Sequence, residues 1–346
     1  MKKLLAMLLV IVTAFSLTGC TGAKQLSERL IIQGIGIDRE EEGFSLTLMY
    51  LDTESSTEEE TVKVLKAKGN TVMDAMADSI TQTGKEPLYS QNLFLLIGKK
   101  TAETGFEDVL SFFTTYYEAR ANVNVFVCDN TAESLLTQKD ITPQQIDLIS
   151  QSEKKSGRTV VSTLMQMESD RIFGNTAPKT SLLTLDGELP KAAGTAVFAK
   201  DRYVFLLTPQ ESLGALLISG KADTASELIL KGNDSGNIDF TLTRCSSEIT
   251  PSIDGDSIAF RIKIKTSADV YTAPSKKESV KEALEKRVVK LCEDTVKTCI
   301  KENGADIFGF SRRLLQHDGN FYRQLSDVQQ ALKDARYEVS AEVKIN

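Results

Sequence analysis

Alternating hydrophobic and polar positions predict a series of half-buried β-strands in the first part of the chain. Between residues 44 and 50, large hydrophobic side chains at every second position alternate with Ser, Thr and Met. An apolar run at 31–37 precedes this segment, and a polar turn ending in Gly43 separates the two. This pattern is typical of a β-hairpin. Further strands are predicted at 61–68, 92–97 and 121–128, and helices at 71–83, 105–117 and 131–136.

The C-terminal part of the chain shows the alternation more clearly. Hydrophobic residues alternate with polar ones at 238–243 and 258–265, and again in a closing strand at 337–345. Such alternation predicts an antiparallel sheet with one solvated face. A long helix at 275–301 carries an apolar stripe that we expect to cover this sheet. Asp306 is predicted to be the N-cap of a second helix.

These elements predict an α+β protein of two to three domains, built of mainly antiparallel sheets covered by helices. The 346 residues exceed twice the roughly 150 of a typical domain, and a polar stretch around Pro143 indicates a boundary. We expect a signal peptide at 1–19, an N-terminal α+β domain at 20–140, a middle helical or linking region at 141–192 and a C-terminal α+β domain at 193–346. The last opens with a hairpin at 195–207 and a helix at 209–218.

The first twenty residues predict export and lipid attachment. Lys2 and Lys3 precede an apolar run at 4–17, which is shorter than the roughly 20 residues needed to span a bilayer and typical of a signal peptide. The run ends in Leu-Thr-Gly-Cys at 17–20, the pattern of a lipobox. Cys20 is therefore the predicted lipidation site and first mature residue, with its acyl chains inserted in the membrane on the extracytoplasmic face.

Composition narrows the classes of function. The chain is 41% hydrophobic and 26% charged, as folded proteins are, and its net charge of −7 gives no electrostatic basis for binding nucleic acid. A single His, His317, excludes multi-histidine metal sites. No cofactor or metal is expected. Four cysteines remain after lipidation and allow three pairings, but buried free thiols are favoured. They are Cys128, Cys245, Cys292 and Cys299.

Motifs that resemble catalytic or nucleotide sites are incomplete. The glycines at 34 and 36 lack the third glycine and the helix of a dinucleotide fingerprint, so close strand packing is the favoured interpretation. Gly214, Gly220 and Lys221 have the wrong spacing for a phosphate loop. Ser152 and Lys155 match a Ser-x-x-Lys pair without its companion motifs. His317 beside Asp318 follows a predicted helix, where a structural role is favoured over that of a general base. We therefore expect no enzymatic activity.

Two acidic segments and one aromatic segment leave alternatives open. The carboxylates at 38–42 and 54–60 lack the ligand spacing of calcium loops, so solvated turns are favoured over cation sites. Phe308 and Phe310 follow Asp306, and they form either part of a core or a docking surface, with the core favoured.

Several segments together resemble the Ger(x)C family, the lipoprotein C subunits of spore germinant receptors. The resemblance begins with the lipobox and Gly-Ile-Gly-Ile-Asp at 34–38, and it continues with an apolar strand ending in Ile-Gly at 92–98 and the helix at 105–120. Gly-Thr-Ala-Val-Phe at 194–198 and Asp-Ile-Phe-Gly-Phe at 306–310 complete it. The order of these motifs along nearly the whole mature chain is the specific feature.

The resemblance implies a non-enzymatic subunit on the outer face of the spore inner membrane. Such a subunit acts with a multi-span A subunit and a transporter-like B subunit in nutrient-triggered germination. Direct binding of a germinant is left open. The alternative is a solute-binding lipoprotein of a transporter, which needs a two-lobed α/β fold around a cleft. The alternation from residue 238 onward disfavours that fold.

Overall fold

The structure, a computed structural model, describes residues 28–52, 61–116, 120–222, 226–231, 237–271 and 277–346. The predicted signal peptide, Cys20 and the acidic segment 54–60 lie outside these ranges. The described chain forms one sheet of ten strands and one of four, both packed against helices. The α+β class is therefore confirmed.

The first sheet holds the strands of the first 207 residues. Its order is β10-β9-β8-β6-β5-β1-β2-β3, while β4 pairs with β1 and β7 with β6. The strands are β1 Arg29–Arg39, β2 Phe44–Asp52, β3 Thr61–Gly69, β4 Glu86–Leu88, β5 Phe94–Ile97, β6 Asn124–Cys128, β7 Ser162–Thr163, β8 Lys179–Asp186, β9 Leu189–Ala199 and β10 Arg202–Leu207.

The centre of this sheet is parallel, whereas both flanks are antiparallel. The predicted hairpin is confirmed as β1 and β2, and β8, β9 and β10 also pair antiparallel. In contrast, the pairs β1–β5, β5–β6 and β6–β8 are parallel. The sequence patterns did not predict these parallel pairs. Strands β5 and β6 are short, continuous apolar runs with helices on both sides of the sheet, and such runs are typical of buried parallel strands.

Helices cover both faces of the first sheet and create two separate cores. The helices are α1 Val72–Thr83, α2 Lys99–Thr104, α3 Glu107–Thr115, α4 Ala132–Leu136, α5 Pro143–Ile149, α6 Ser152–Ser156 and α7 Leu164–Phe173. One core contains residues of α1, α2 and α3, and the other contains residues of α4 and α5. The predicted middle region thus contains β7, β8 and the start of β9 beside its helices.

The second sheet has the order β11-β12-β13-β14. Its strands are β11 Ser226–Lys231, β12 Asn237–Asp254, β13 Ser257–Val270 and β14 Arg336–Ile345. The predicted antiparallel pairing is correct for β12 and β13. Strand β11 also pairs antiparallel with β12, whereas the closing strand β14, whose direction the alternation did not indicate, pairs parallel with β13. Helices fill the long connection between β13 and β14, and this crossover returns the chain in the direction of β13.

This sheet and its helices form the second body of the protein, and the first sheet and its helices form the first body. The helices of the second body are α8 Pro209–Ile218, α9 Lys277–Val296, which continues as a π-helical turn at Lys297–Glu302, α10 Phe310–His317, α11 Gly319–Gln324 and α12 Val328–Asp334. The predicted apolar stripe of α9, from Val280 to Cys299, is buried in the core of the second sheet. Val197 and Leu207 of the predicted hairpin contribute to this core, while Ala196 and Phe198 pack into a core of the first sheet. Strand β9 therefore connects the two bodies, and the domain boundaries at 140 and 192 stay predictions.

Candidate functional site at the junction of the two sheets

The motif Asp-Ile-Phe-Gly-Phe at 306–310 lies in the loop between the π-helical turn and α10. The Asp306 carboxylate accepts hydrogen bonds from the backbone N–H groups of Phe308 (3.1 Å), Gly309 (2.8 Å) and Ser311 (2.8 Å). Gly309 has a φ of 74°, a conformation that glycine adopts without strain. The predicted N-cap position was wrong, because α10 begins at Phe310 and Gly309 is its N-cap residue. The Asp306 carboxylate nevertheless accepts from Ser311 in the first turn of α10, as predicted, and it also holds the loop that leads into the helix.

The Asp306 carboxylate lies inside the protein. Its burial raises the pKa of Asp306, and the backbone N–H groups that donate to it lower that pKa again. A buried carboxylate needs such donors, because they replace the water lost on folding. The loop and the carboxylate therefore depend on each other.

Both phenylalanines of the 306–310 motif belong to the core. Phe308 is 7% exposed and Phe310 is 0% exposed. The ring of Phe310 lies 4.8 Å from that of Phe260 in β13 and 5.0 Å from that of Tyr337 in β14. The rings of Phe308 and Phe310 are 5.2 Å apart. This packing confirms the interpretation of the motif as core, and it removes the exposed apolar surface that docking through these rings requires.

The same loop connects the second body to the first. The backbone N–H of Ala177, between α7 and β8, donates to the carbonyl oxygen of Asp306 at 2.7 Å. Close by, Nζ of Lys179 lies 3.7 Å from Oδ2 of Asp170, and the Lys179 side chain is only 15% exposed. Burial lowers the pKa of Lys179. A cavity of about 390 Å³ lined by Asp170, Asp306 and Tyr322 adjoins these contacts.

No local sequence pattern marks the pair Lys179 and Asp170. The burial of Lys179 depends on the pairing of β8 with β9 and on the position of the 306–310 motif, which lies more than a hundred residues away along the chain. Long-range packing of this kind leaves no periodic signal in a single strand.

Gly34 and Gly36 make room for close packing against β1. A Cβ atom at Gly34 would overlap the buried ring of Phe94, and one at Gly36 would lie 2.8 Å from Cδ1 of Leu136 and 2.9 Å from Cβ of Ala132. The two glycines therefore allow β5 and α4 to approach the strand. This confirms their interpretation as packing residues.

The position of Asp38 differs from its prediction. The acidic pattern predicted a solvated turn, but the Asp38 side chain is buried and accepts hydrogen bonds from the backbone N–H groups of Ala132 (2.8 Å) and Glu133 (3.0 Å). It thus satisfies the free N–H groups of the first turn of α4. Burial raises the pKa of Asp38, which the two N–H donors partly offset. The sequence pattern showed the acidic turn but not the helix that packs against it.

The other candidate residues have identifiable structural surroundings. Ser152 is the first residue of the short helix α6, and Lys155 is exposed on that helix. His317 is the exposed last residue of α10. Asp318 does not orient it, because the Asp318 carboxylate accepts from the first two N–H groups beyond Gly319, both at 2.9 Å, and caps α11.

The glycine-rich stretch before Lys221 also has a packing role. Gly214 lies in the middle of α8, and a Cβ atom there would overlap Oγ1 of Thr295 in α9. The glycine allows the two helices to approach closely. Gly220 ends the helix with a φ of 66°.

Cysteines and carboxylates do not form a metal centre in the part of the chain that the structure describes. Over residues 28–346, apart from the undescribed stretches, no group of three His, Cys, Asp or Glu side chains is placed to hold a metal ion. Among the described residues, Cys128, Cys292 and Cys299 are buried thiols outside any disulfide, and Cys245 is half-buried. Burial raises the pKa of the Cys128 thiol to about 12. None of the described helices is both long and apolar enough to span a bilayer.

Two family models match consecutive parts of the chain. Residues 22–182 match the spore germination protein N-terminal domain, and residues 193–346 match the C-terminal domain described as spore germination B3/GerAC like. Spore germination protein KC of Bacillus subtilis (strain 168) is 22% identical in an alignment over 393 residues. The alignment covers 99% of this chain and 95% of that protein. The crystal structure of the GerBC protein matches with a TM-score of 0.62 at 15% identity, over 90% of this chain and 96% of that one. The chain belongs to the Ger(x)C family of spore germination proteins.

Proposed function

We propose that this chain is the lipid-anchored, non-enzymatic C subunit of a spore germinant receptor and acts with membrane-embedded A and B subunits. The observation that carries the proposal is the match of both family domains in order over residues 22–182 and 193–346. The lipobox cysteine stands two positions before the first matched residue. A lipid-bearing Cys20 followed directly by the family's folded region is the arrangement expected of such a subunit.

A scaffold role fits what the acidic and nucleophilic candidates do in the fold. Asp38 and Asp318 cap helices, and Asp306 holds the loop between the π-helical turn and α10. Burial raises the pKa of the Cys128 thiol to about 12, so its reactive thiolate is scarce at neutral pH. These three carboxylates are therefore used to hold backbone, and the Cys128 thiol is kept protonated.

The anchor places the folded region close to the bilayer. Arg29, the first residue of β1, lies nine positions after Cys20, and an extended chain of that length reaches about 30 Å. We place the acyl chains in the outer face of the spore inner membrane. The folded region then lies within reach of the extracytoplasmic surfaces of membrane-embedded partners.

The experiment that tests the anchor compares two cysteine variants. In Cys20→Ala the acyl chains are lost, so we expect the protein to leave the membrane fraction after a high-salt wash. Cys245→Ala is the matched control, because Cys245 is only half-buried and lies in the second body, and this variant should stay in the membrane fraction.

The partner subunits need a separate arm of the same experiment. Repeating the fractionation in cells without A and B subunits distinguishes the lipid anchor from retention through a partner. Cys20→Ala protein that remains in washed membranes without those subunits would contradict lipid anchoring.

A further inference from the structure

A cleft lies beside α2, at the carboxyl ends of the parallel strands β6 and β8. Its volume is about 360 Å³, at the small end of the roughly 300–1,000 Å³ of ligand pockets. After β5 the chain enters α2 on one face of the sheet, whereas after β6 it enters α4 on the opposite face. Successive connections that diverge in this way leave a crevice at the strand ends, the usual position of ligands in open α/β sheets.

Irregular strand pairing shapes one wall of the cleft. Tyr203 and Leu206 both line it, although side chains three residues apart point to opposite faces of a regular strand. The register of β10 with β9 shifts between Tyr203 and Phe205, and the register of β8 with β9 shifts beside Ala193, another lining residue. Such bulges redirect side chains and are common next to functional sites.

The floor of the cleft is apolar and its rim is charged. Buried Ala102 and half-buried Leu182 contribute apolar surface to the floor, and the exposed Leu206 adds apolar surface beside it. Lys99 and Glu103 lie at the rim and are exposed. They are four residues apart on α2, the spacing that allows ion pairs, yet they form none with each other in the described structure.

Three polar groups of the cleft remain free to bind a ligand. The side chains of Lys99, Glu103 and Tyr203 have no hydrogen-bond or ion-pair partner among the described residues. Burial and the Glu103 carboxylate raise the pKa of Tyr203, so its hydroxyl stays protonated and can donate. By contrast, the nearby Asp129 carboxylate already accepts from Oγ1 of Thr184 at 2.6 Å.

We propose that this cleft binds a small zwitterion that carries an ammonium group, a carboxylate group and a short branched apolar group. The carboxylate meets the Lys99 ammonium, the ammonium meets the Glu103 carboxylate, and the apolar group lies on the floor. A ligand with one charge alone would leave either Lys99 or Glu103 without a counter-charge. The proposal rests on the cleft only, so it does not depend on the lipid anchor or on the receptor subunits.

The test measures binding by isothermal titration to the full-length lipoprotein in detergent, with three probes that share an isobutyl group. L-leucine carries both charged groups, isopentylamine carries only the amine, and isovalerate carries only the carboxylate. We expect saturable binding of L-leucine, with both other probes at least about tenfold weaker, because each lacks one charge-assisted contact. Absence of saturable L-leucine binding, or equal binding of isopentylamine or isovalerate, would overturn the proposal.

Two variants locate the binding in the cleft. Lys99→Gln removes the ammonium without breaking a contact, and we expect L-leucine affinity to fall about tenfold. Lys100→Gln is the matched control, because Lys100 is an exposed neighbour on α2 that does not line the cleft, and its affinity should be unchanged. Equal L-leucine affinity of the Lys99→Gln and Lys100→Gln proteins would contradict the assigned site. The melting temperature of both should match that of the unaltered protein.

Discussion

Replacement of Phe310 by alanine tests whether the 306–310 motif acts through packing. Phe310 is 0% exposed, and its ring lies within 5.2 Å of those of Phe260, Tyr337 and Phe308. The variant leaves a cavity between β13, β14 and α10 that these rings cannot fill without leaving their own positions. We expect the second body to lose much of its stability.

The magnitude follows from the burial and the ring contacts. A buried Phe→Ala change costs about 3–5 kcal/mol, and each aromatic pair adds about 0.5–1.5 kcal/mol beyond the buried area. We therefore expect about 4–5 kcal/mol, a large part of the roughly 5–15 kcal/mol that stabilises a typical domain. For a body of this size, such a loss lowers the melting temperature by about 10 °C or more.

The assay is thermal and urea unfolding of the purified protein, combined with its abundance in spores. Phe173→Ala is the matched control, because Phe173 is 72% exposed at the end of α7, and its free energy of unfolding should change by less than about 0.5 kcal/mol. Germination should fail in the Phe310→Ala strain because the protein is lost. An unchanged melting temperature and normal abundance with defective germination would refute this reasoning and indicate docking through the ring.

Other positions give independent predictions. Gly34→Ala forces the buried ring of Phe94 to move, and we expect a loss of about 1–3 kcal/mol in urea unfolding; an unchanged midpoint would show that the strand tolerates the Cβ atom. Asp38→Ala leaves the first N–H groups of α4 unsatisfied and should cost about 1–2 kcal/mol, part of which Asp38→Asn should restore. The pKa of Cys128 rises from 9.0 to about 12 on folding, so its contribution to stability is complete below pH 9 and is lost as the pH rises toward 12. Cys128→Ala should flatten this alkaline loss of stability, and a thiol reagent should label native Cys245 before Cys128, as mass spectrometry can show.

Sequence patterns correctly predicted the elements in which buried side chains recur at a short, regular spacing along the chain. The alternation at 258–265 correctly predicted β13, and the stripe from Val280 to Cys299 correctly predicted the buried face of α9. Each pattern reflects only which side chains of one element are buried against its neighbour. They contain no information on the direction of the neighbouring strand, so the parallel pairing of β14 with β13 was missed.

Residues whose role depends on distant segments were not predictable in the same way. Asp38 is part of an acidic turn by sequence, yet it caps a helix that begins more than ninety residues later. The 306–310 motif was predicted to be core, but its hydrogen bond from Ala177 exists only because β9 brings the two bodies together. The cleft beside α2 required the register shifts of β9 and β10, which no residue pattern indicated.

The proposed role of this chain is that of a receptor subunit working with two membrane-embedded partners. The most direct measurement is affinity capture of the tagged full-length lipoprotein from detergent-solubilised spore inner membranes, followed by mass spectrometry of the captured proteins. We expect two multi-span proteins, the A and B subunits, and their loss with the Phe310→Ala protein but not with Phe173→Ala. Capture of the chain alone, or with the permease and ATPase of a solute transporter, would contradict it.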